Sequence, residues 1–348
     1  MTETMRVSLA DIETAARRAL LSCNVRDSNA RAVAHSIMAA ERDGQPIVGL
    51  SYLPTYCDHA ACSKVDGDAE PVLQKISPIC IRVDAKAGFA HPAIALGVPP
   101  LVDAARANGI AALMVGNSSA CGSLGYFVEE LADRGLVALM VANASPSIAA
   151  PGAKAPFFGT NPLAFACPRI DQAPLVIDQS TSVVAKVVVI DAHRRGAPLL
   201  PGWALDCDGQ PTLDAGAALS GSLCAIGGYK GVSLALMIDV LAGGLTASNF
   251  SYEASSFGDC EGGPPSTGQL FIAFDPAVMG APSLLSRTDT LFRAVQQEPN
   301  VRLPGERRLA MRRLHEHGVE VSLDLWALIH RYIQEGSPVQ KRSQSELS

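Results

Sequence analysis

Gly159-Thr160-Asn161-Pro162-Leu163-Ala164-Phe165-Ala166-Cys167, followed after a short interval by Leu175-Val176-Ile177-Asp178-Gln179-Ser180-Thr181-Ser182, is the stretch on which the reading of this chain turns. Gly159 to Pro162 is turn chemistry, because glycine and asparagine tolerate left-handed backbone and proline pre-sets its own φ. The apolar runs at 163–167 and 175–177 are short strand material. Asp178 ends the second run, where a carboxylate either caps the next segment or faces a cleft.

Outward from there, strands and helices alternate. Residues 110–115 and 136–142 are buried strands, and 126–133 a helix between them. At 181–192 the valines favour a strand while length and flanks allow a helix. An apolar helix is expected over 230–245 and a strand over 268–274. Near the start, Ser8 and Asp11 form an N-cap signature ahead of Ile12, Ala15, Ala16 and Ala19. A second helical pattern carries Ala30, Val33, Ala34, Ile37 and Met38. Residues 44–72 read as loop-rich, and the helix after Gly88 as broken at Pro99-Pro100. The segment from 284 is helical and rich in arginine.

At 348 residues the chain has a prior of about two domains. With 48% hydrophobic and 18% charged residues, disorder is excluded. The net charge of −6 and the lack of a basic stripe argue against nucleic acid. No apolar run approaches the 18 or so residues of a membrane helix, so no membrane partner is expected. Met-Thr-Glu-Thr-Met-Arg lacks the apolar core of a signal peptide, which points to the cytoplasm. The nine cysteines are odd in number and scattered, as reduced thiols packed like small hydrophobes would be. Cys57-x-His59 with Cys62 lacks the second ligand pair of a zinc site, so no metal is expected.

Two loops have the physics of anion sites. One runs Gly116-Asn117-Ser118-Ser119-Ala120-Cys121-Gly122 between a strand and a helix. The other, Gly227-Gly228-Tyr229-Lys230-Gly231, opens a helix with a cation at its positive end. Neither is G-x-G-x-x-G or G-x-x-x-x-G-K-[ST], and each is also readable as a tight turn. These residues alone define an α/β protein with nucleotide-type loops, and no reaction.

Taken together, Gly159 to Ala164, Asp178 to Ser182, Gly202-Trp203-Ala204-Leu205-Asp206, Gly227 to Gly231 and Pro304-Gly305-Glu306-Arg307-Arg308 resemble the non-Rossmann malate/L-lactate dehydrogenase family, in order, from about residue 8 to 335. The resemblance implies NADPH or NADH bound on a mostly antiparallel central sheet, a helical domain built from both termini, a small-molecule substrate, and an active site completed in a homodimer. It implies a helical domain of 1–75 plus 284–336, a cofactor and substrate domain of 76–283, and a flexible tail at 337–348. Carried over position by position, Ser118, Thr160, Asn161, Asp178, Ser182, Gly228, Lys230 and Arg308 lie against the cofactor, with its phosphates near Gly228, Lys230 and Arg308. Asn117 matches the loop beside the nicotinamide.

The family's catalytic pattern departs here. Asp-Gly-x-x-Ser-His-Gly-x-x-Arg-Leu-Pro-x-Tyr aligns with residues 43–56, putting Ile47, Val48 and Tyr52 where serine, histidine and arginine are usual. Ala120 replaces a second histidine, and the basic pair after Ser182 is reduced to Lys186, with Val188 in the other place. Reducing a 2-oxo acid needs a proton donor and a cation for the carboxylate, and Ile47, Val48 and Ala120 supply neither. An apolar pocket of Ile47, Val48, Ala120 and Asn117 is therefore expected, with Tyr52, Tyr56 and His91 as catalytic candidates. His91 is placed in a glycine-containing loop as a substitute acid, whereas His35 reads as a core histidine. The expected function is NAD(P)H-dependent reduction of a cyclic imine or a weakly charged carbonyl. The competing expectation is a non-redox scaffold of the same fold, either a pseudoenzyme or a cyclase or isomerase.

Overall fold

A computed structural model describes residues 3–339. The chain opens with strand β1 (Thr4–Val7), helices α1 (Leu9–Leu21) and α2 (Asp27–Arg42), two single 3-10 turns (Pro46–Val48 and Leu50–Tyr52) and α3 (Leu53–Ala61). Then come β2 (Val72–Ser77), β3 (Cys80–Asp84), α4 (Ala90–Asn108), β4 (Ile110–Ser118), α5 (Leu124–Asp133) and β5 (Val137–Ala142). Short strands β6 (Ile148–Ala149) and β7 (Pro156–Phe158) precede the hairpin β8 (Leu163–Arg169) and β9 (Gln172–Gln179). After α6 (Lys186–Arg194), β10 (Ala204–Leu205), β11 (Pro211–Thr212), α7 (Ala215–Ser220) and β12 (Ser222–Leu223) come α8 (Tyr229–Asp239) and β13 (Thr267–Phe274). The chain then runs through α9 (Leu284–Gln296), α10 (Glu306–Leu314), β14 (Val319–Ser322) and α11 (Leu323–Glu335).

Seven strands form the central sheet in the order β2-β3-β4-β13-β5-β8-β9. Only β3 and β4 run parallel. Strand alternation loads both faces. Ala111, Leu113 and Val115 of β4 join the core under α4 and α5, while Ala112 and Met114 turn to the opposite face with Ile238 of α8. Gly97 lets α4 press close, since a Cβ there would stand 2.5 Å from Leu113. A separate cluster joins α1 and α2 to Val319, Val321, Ile329 and Tyr332 from the far end of the chain. A small five-stranded sheet, β11-β10-β12-β6-β7, carries its own core with α6 and α7. Phe292 of α9 packs with Cys167 and Leu175 of the β8–β9 hairpin.

Several expectations need correcting. Helix α4 runs unbroken through Pro99 and Pro100. The carbonyls left without donors are those of Ala95 and Leu96, which are exposed and reach water. The segment 44–72 contains α3, and 181–192 is helical from Lys186 on, in α6. His35 is exposed and pairs with Glu13 at 3.0 Å. Ser8 does cap α1, accepting from the Asp11 N–H at 3.1 Å. At the start of the expected tail, Ser337 is buried and donates to Asp58 at 2.6 Å, while residues 340–348 lie outside the described residues. All nine cysteines are free, yet Cys23 lies against Cys57 and Cys62 against Cys260.

Candidate active site

The site is assembled where the turns before α3 meet the loop between β4 and α5. Leu50 N–H donates to the buried Glu41 carboxylate at 2.7 Å, which anchors the turn carrying Tyr52. Tyr52 and Tyr56 meet edge to face at 4.8 Å, and Tyr56 meets Phe89 at 5.8 Å and His91 at 5.7 Å. A Cβ on Gly122 would stand 3.7 Å from Tyr56 Oη and 4.0 Å from both Ser36 Oγ and the Val48 carbonyl. Val48 and the two tyrosines thus do come to the loop that carries Ala120. Ile47 and Ala120 are half-buried. Tyr52 Oη donates to the Phe257 carbonyl at 3.5 Å, whereas Tyr56 Oη has no hydrogen bond among the described residues. Burial raises the pKa of Tyr56 well above its ordinary value, with Tyr52 and Cys121 adding to the rise.

His91 is not in a loop. It is the second residue of α4, buried between Tyr56 and Phe127, with neither ring nitrogen in good hydrogen-bonding geometry. Burial lowers its pKa to about 4. At neutral pH the imidazole carries no spare proton, which argues against its expected part as substitute acid.

The loop beyond Phe257 is pinned by a lysine that sequence reasoning passed over. Lys64 has a fully buried side chain and donates to the Asp259 and Glu261 carbonyls at 2.9 and 2.5 Å. Lys186, the first residue of α6, is half-buried; burial lowers its pKa while Asp259 opposes the shift. A lysine carries no local signal for such a role, because it is the burial that makes it informative.

The expected cofactor residues divide. Asn161 is fully buried, accepting from Ala144 N and Ser251 Oγ and donating to the Ala235 carbonyl at 2.9 Å. Ser118 donates to the Thr267 carbonyl and Gln269 Oε1, both at 3.0 Å. Asn117 is bound to Asp84, Ser248 and Ser266. Ser182 donates to the Val184 carbonyl and bridges to Ala225. Arg308 binds Glu129 at 2.7 Å and lies 3.6 Å from Asp43; Arg312 joins the same two acids.

Asp178 caps a helix, but the earlier α5 and not the segment that follows it. Its Oδ2 accepts from Gly125 N at 2.7 Å and Ser123 Oγ at 2.8 Å, capping α5, while Oδ1 keeps acceptor capacity and solvent reaches the residue. Crowding by protein atoms raises its pKa, and the two donors oppose the rise. Thr160, whose carbonyl accepts from Thr181, leads to Ile226 and the mouth of α8. There Gly227 and Gly228 have φ of +58° and +63°, and a Cβ at either would meet nothing within 4 Å. Helix α8 has no side-chain cap, and Lys230 is exposed without a partner among the described residues. This open cradle, with uncapped N–H groups and a free cation, fits a dinucleotide phosphate.

Fold and site together define an α/β protein with a buried aromatic cluster and an open, glycine-led start to α8. Residues 7–330 match the malate/L-lactate dehydrogenase family, and the chain belongs to that family. It is 44% identical to the (2R)-3-sulfolactate dehydrogenase (NADP(+)) of Chromohalobacter salexigens, covering 90% of this chain and 94% of that one. It is 37% identical to the Δ1-pyrroline-2-carboxylate reductase of Ancylobacter novellus, covering 97% and 100%. The crystal structure of Δ1-piperideine-2-carboxylate reductase from Pseudomonas syringae superposes with a TM-score of 0.90 at 36% identity, covering 94% of this chain and all of that one.

Proposed function

We propose that this chain reduces a cyclic imine or a weakly charged carbonyl compound and has lost the polar centre suited to malate or lactate. It is an NAD(P)-dependent oxidoreductase, and relatives named for pyrroline and piperideine carboxylates act on cyclic imines. One observation carries the finer reading: the buried Tyr56 hydroxyl, without a partner among the described residues, beside Gly122 and Val48. Its high pKa keeps the proton on Oη, ready to donate to a carbonyl oxygen. Gly228, Lys230, Thr160 and Asp178 would hold the nicotinamide cofactor, which when bound supplies the hydride. Ile47, Val48 and Ala120 exclude water from the reacting carbon. An iminium carbon accepts hydride without an acid at that centre, so the missing histidines matter less there.

With a carbonyl substrate, Tyr56→Phe is expected to lower kcat by about 10²-fold or more while NADPH binding, read by fluorescence, is unchanged. Undiminished kcat overturns the reading, as does brisk turnover of malate or pyruvate by the unaltered enzyme. A second reading is favoured by Lys186, which carries no ion pair among the described residues and can hold a substrate carboxylate. Lys186→Gln then raises KM for a carboxylated cyclic imine and not for an uncharged one. A homodimer is proposed on the exposed apolar residues Tyr229, Leu236 and Met237 of α8 and Val240 just after it, with the cradle at the start of α8. Light scattering should give about twice the 36.3 kDa chain mass.

A further inference from the structure

The two close pairs of thiols differ in what can reach them. Cys23 and Cys57 are both fully buried. Cys62 and Cys260 are half-buried, so a small solute has access to them. Cys62 ends α3, and its thiol donates to the His59 carbonyl at 3.6 Å. Cys260 comes from the loop before β13, yet its thiol donates to the Asp58 carbonyl, one residue earlier in the same helix, at 3.8 Å. The two sulfurs thus share the last turn of α3 and interact directly. Lys64, two residues after Cys62, holds the two segments together. Its buried ammonium donates to the carbonyls of Asp259 and Glu261, the residues on either side of Cys260. Gly258 precedes this stretch, and Gly262 and Gly263 follow it with φ of +80° and +70°. Backbone of that kind can make the small shift that brings neighbouring sulfurs to the roughly 2.0 Å of a disulfide.

We propose that Cys62 and Cys260 are a reversible modification site, joined as a disulfide by a small-molecule disulfide of the glutathione class. The Cys62 thiolate attacks one sulfur of the oxidant, whose S–S bond breaks and releases the first thiol. Cys260 then gives its proton to water and attacks the Cys62 sulfur, which releases the second. Two cysteine thiols are oxidised, and one small disulfide is reduced to two thiols. The order follows from the surroundings. Burial and the neighbouring Cys62 push the Cys260 thiol up to about 12, and capping Cys62 removes the second of these causes. The bond fixes the loop whose Phe257 carbonyl accepts from Tyr52, adding a covalent tie to the hydrogen bonds of Lys64. A solvent-accessible disulfide is readily reduced, so excess thiol reverses the change.

The test is incubation of the full folded chain with oxidised glutathione, then acid quenching, alkylation of the remaining thiols in denaturant and peptide mapping by mass spectrometry. Under the proposal two peptides are joined through Cys62 and Cys260, lighter than their sum by two hydrogens, and dithiothreitol separates them. The oxidised protein gains roughly 5 °C or more in Tm. Cys23 and Cys57 are recovered as alkylated thiols. Cys260→Ser leaves Cys62 as a glutathione adduct and abolishes the gain in Tm. Wild type oxidised in urea is the comparison that serves if the variant folds poorly, and there the joined peptide forms at least tenfold more slowly. The proposal is overturned if folded wild type yields no Cys62–Cys260 peptide, if Cys62 stops at the glutathione adduct, or if the peptide forms as fast in urea.

Discussion

The junction of α2, α5 and α10 and the mouth of α8 are both marked by motif residues, and they use their charges differently. At the junction, Asp43, Glu129, Arg308 and Arg312 pair with one another at partly or fully buried positions, with Arg308 Nε left 3.6 Å from Asp43 and without a hydrogen bond. At the mouth of α8, Lys230, Gly227 and Gly228 are exposed, uncapped and free of partners among the described residues. The same kind of residue thus holds the frame in one place and waits for a ligand in the other. What separates them is desolvation: a buried cation needs its acid inside the fold, whereas an exposed one can keep its charge for a ligand.

Breaking the junction has the largest expected effect. Glu129→Gln leaves Arg308 and Arg312 short of a countercharge, and should cost about 3–5 kcal/mol in urea unfolding. A loss below 1 kcal/mol would mean that water already screens the cluster.

His91 sharpens the comparison through pH. Its imidazole titrates near 6.5 when exposed and near 4 in the fold, so between these values only the unfolded chain takes up the proton. Stability attributable to His91 is complete above pH 6.5 and falls by roughly 3 kcal/mol as pH drops toward 4. His91→Phe should flatten that part of the acid limb in pH-dependent unfolding. An unchanged limb would place the acid sensitivity elsewhere.

The smallest effect on the fold is expected at α8. Lys230→Ala should change unfolding free energy by less than about 0.5 kcal/mol while weakening NADPH by about 1–3 kcal/mol in titration. A stability loss comparable to that at Glu129 would erase the distinction between the two regions.

Much of the frame was legible because it rests on local rules. The Ser8 cap, the alternation in β4 and the two strands around Asp178 follow from spacing and turn chemistry. The motif order from Gly159 to Arg308 led to the family. Other readings failed where the deciding partner is distant in sequence. Pro99 and Pro100 look like breakers until the donor-less carbonyls prove to face water. The ion pair of Arg308 with Glu129, 179 residues away, is visible only in the fold.

By itself, then, the sequence determined the class of fold, the family and which residue types stand at the motif positions: Ile47, Val48, Tyr52, Tyr56 and Ala120. Only the tertiary structure decided which polar groups remain available. Asn161 and Ser118 disappear into internal hydrogen bonds, while Tyr56 Oη and Lys230 keep theirs free. Availability depends on what a group touches and on whether water reaches it, and both are properties of packing between segments far apart along the chain.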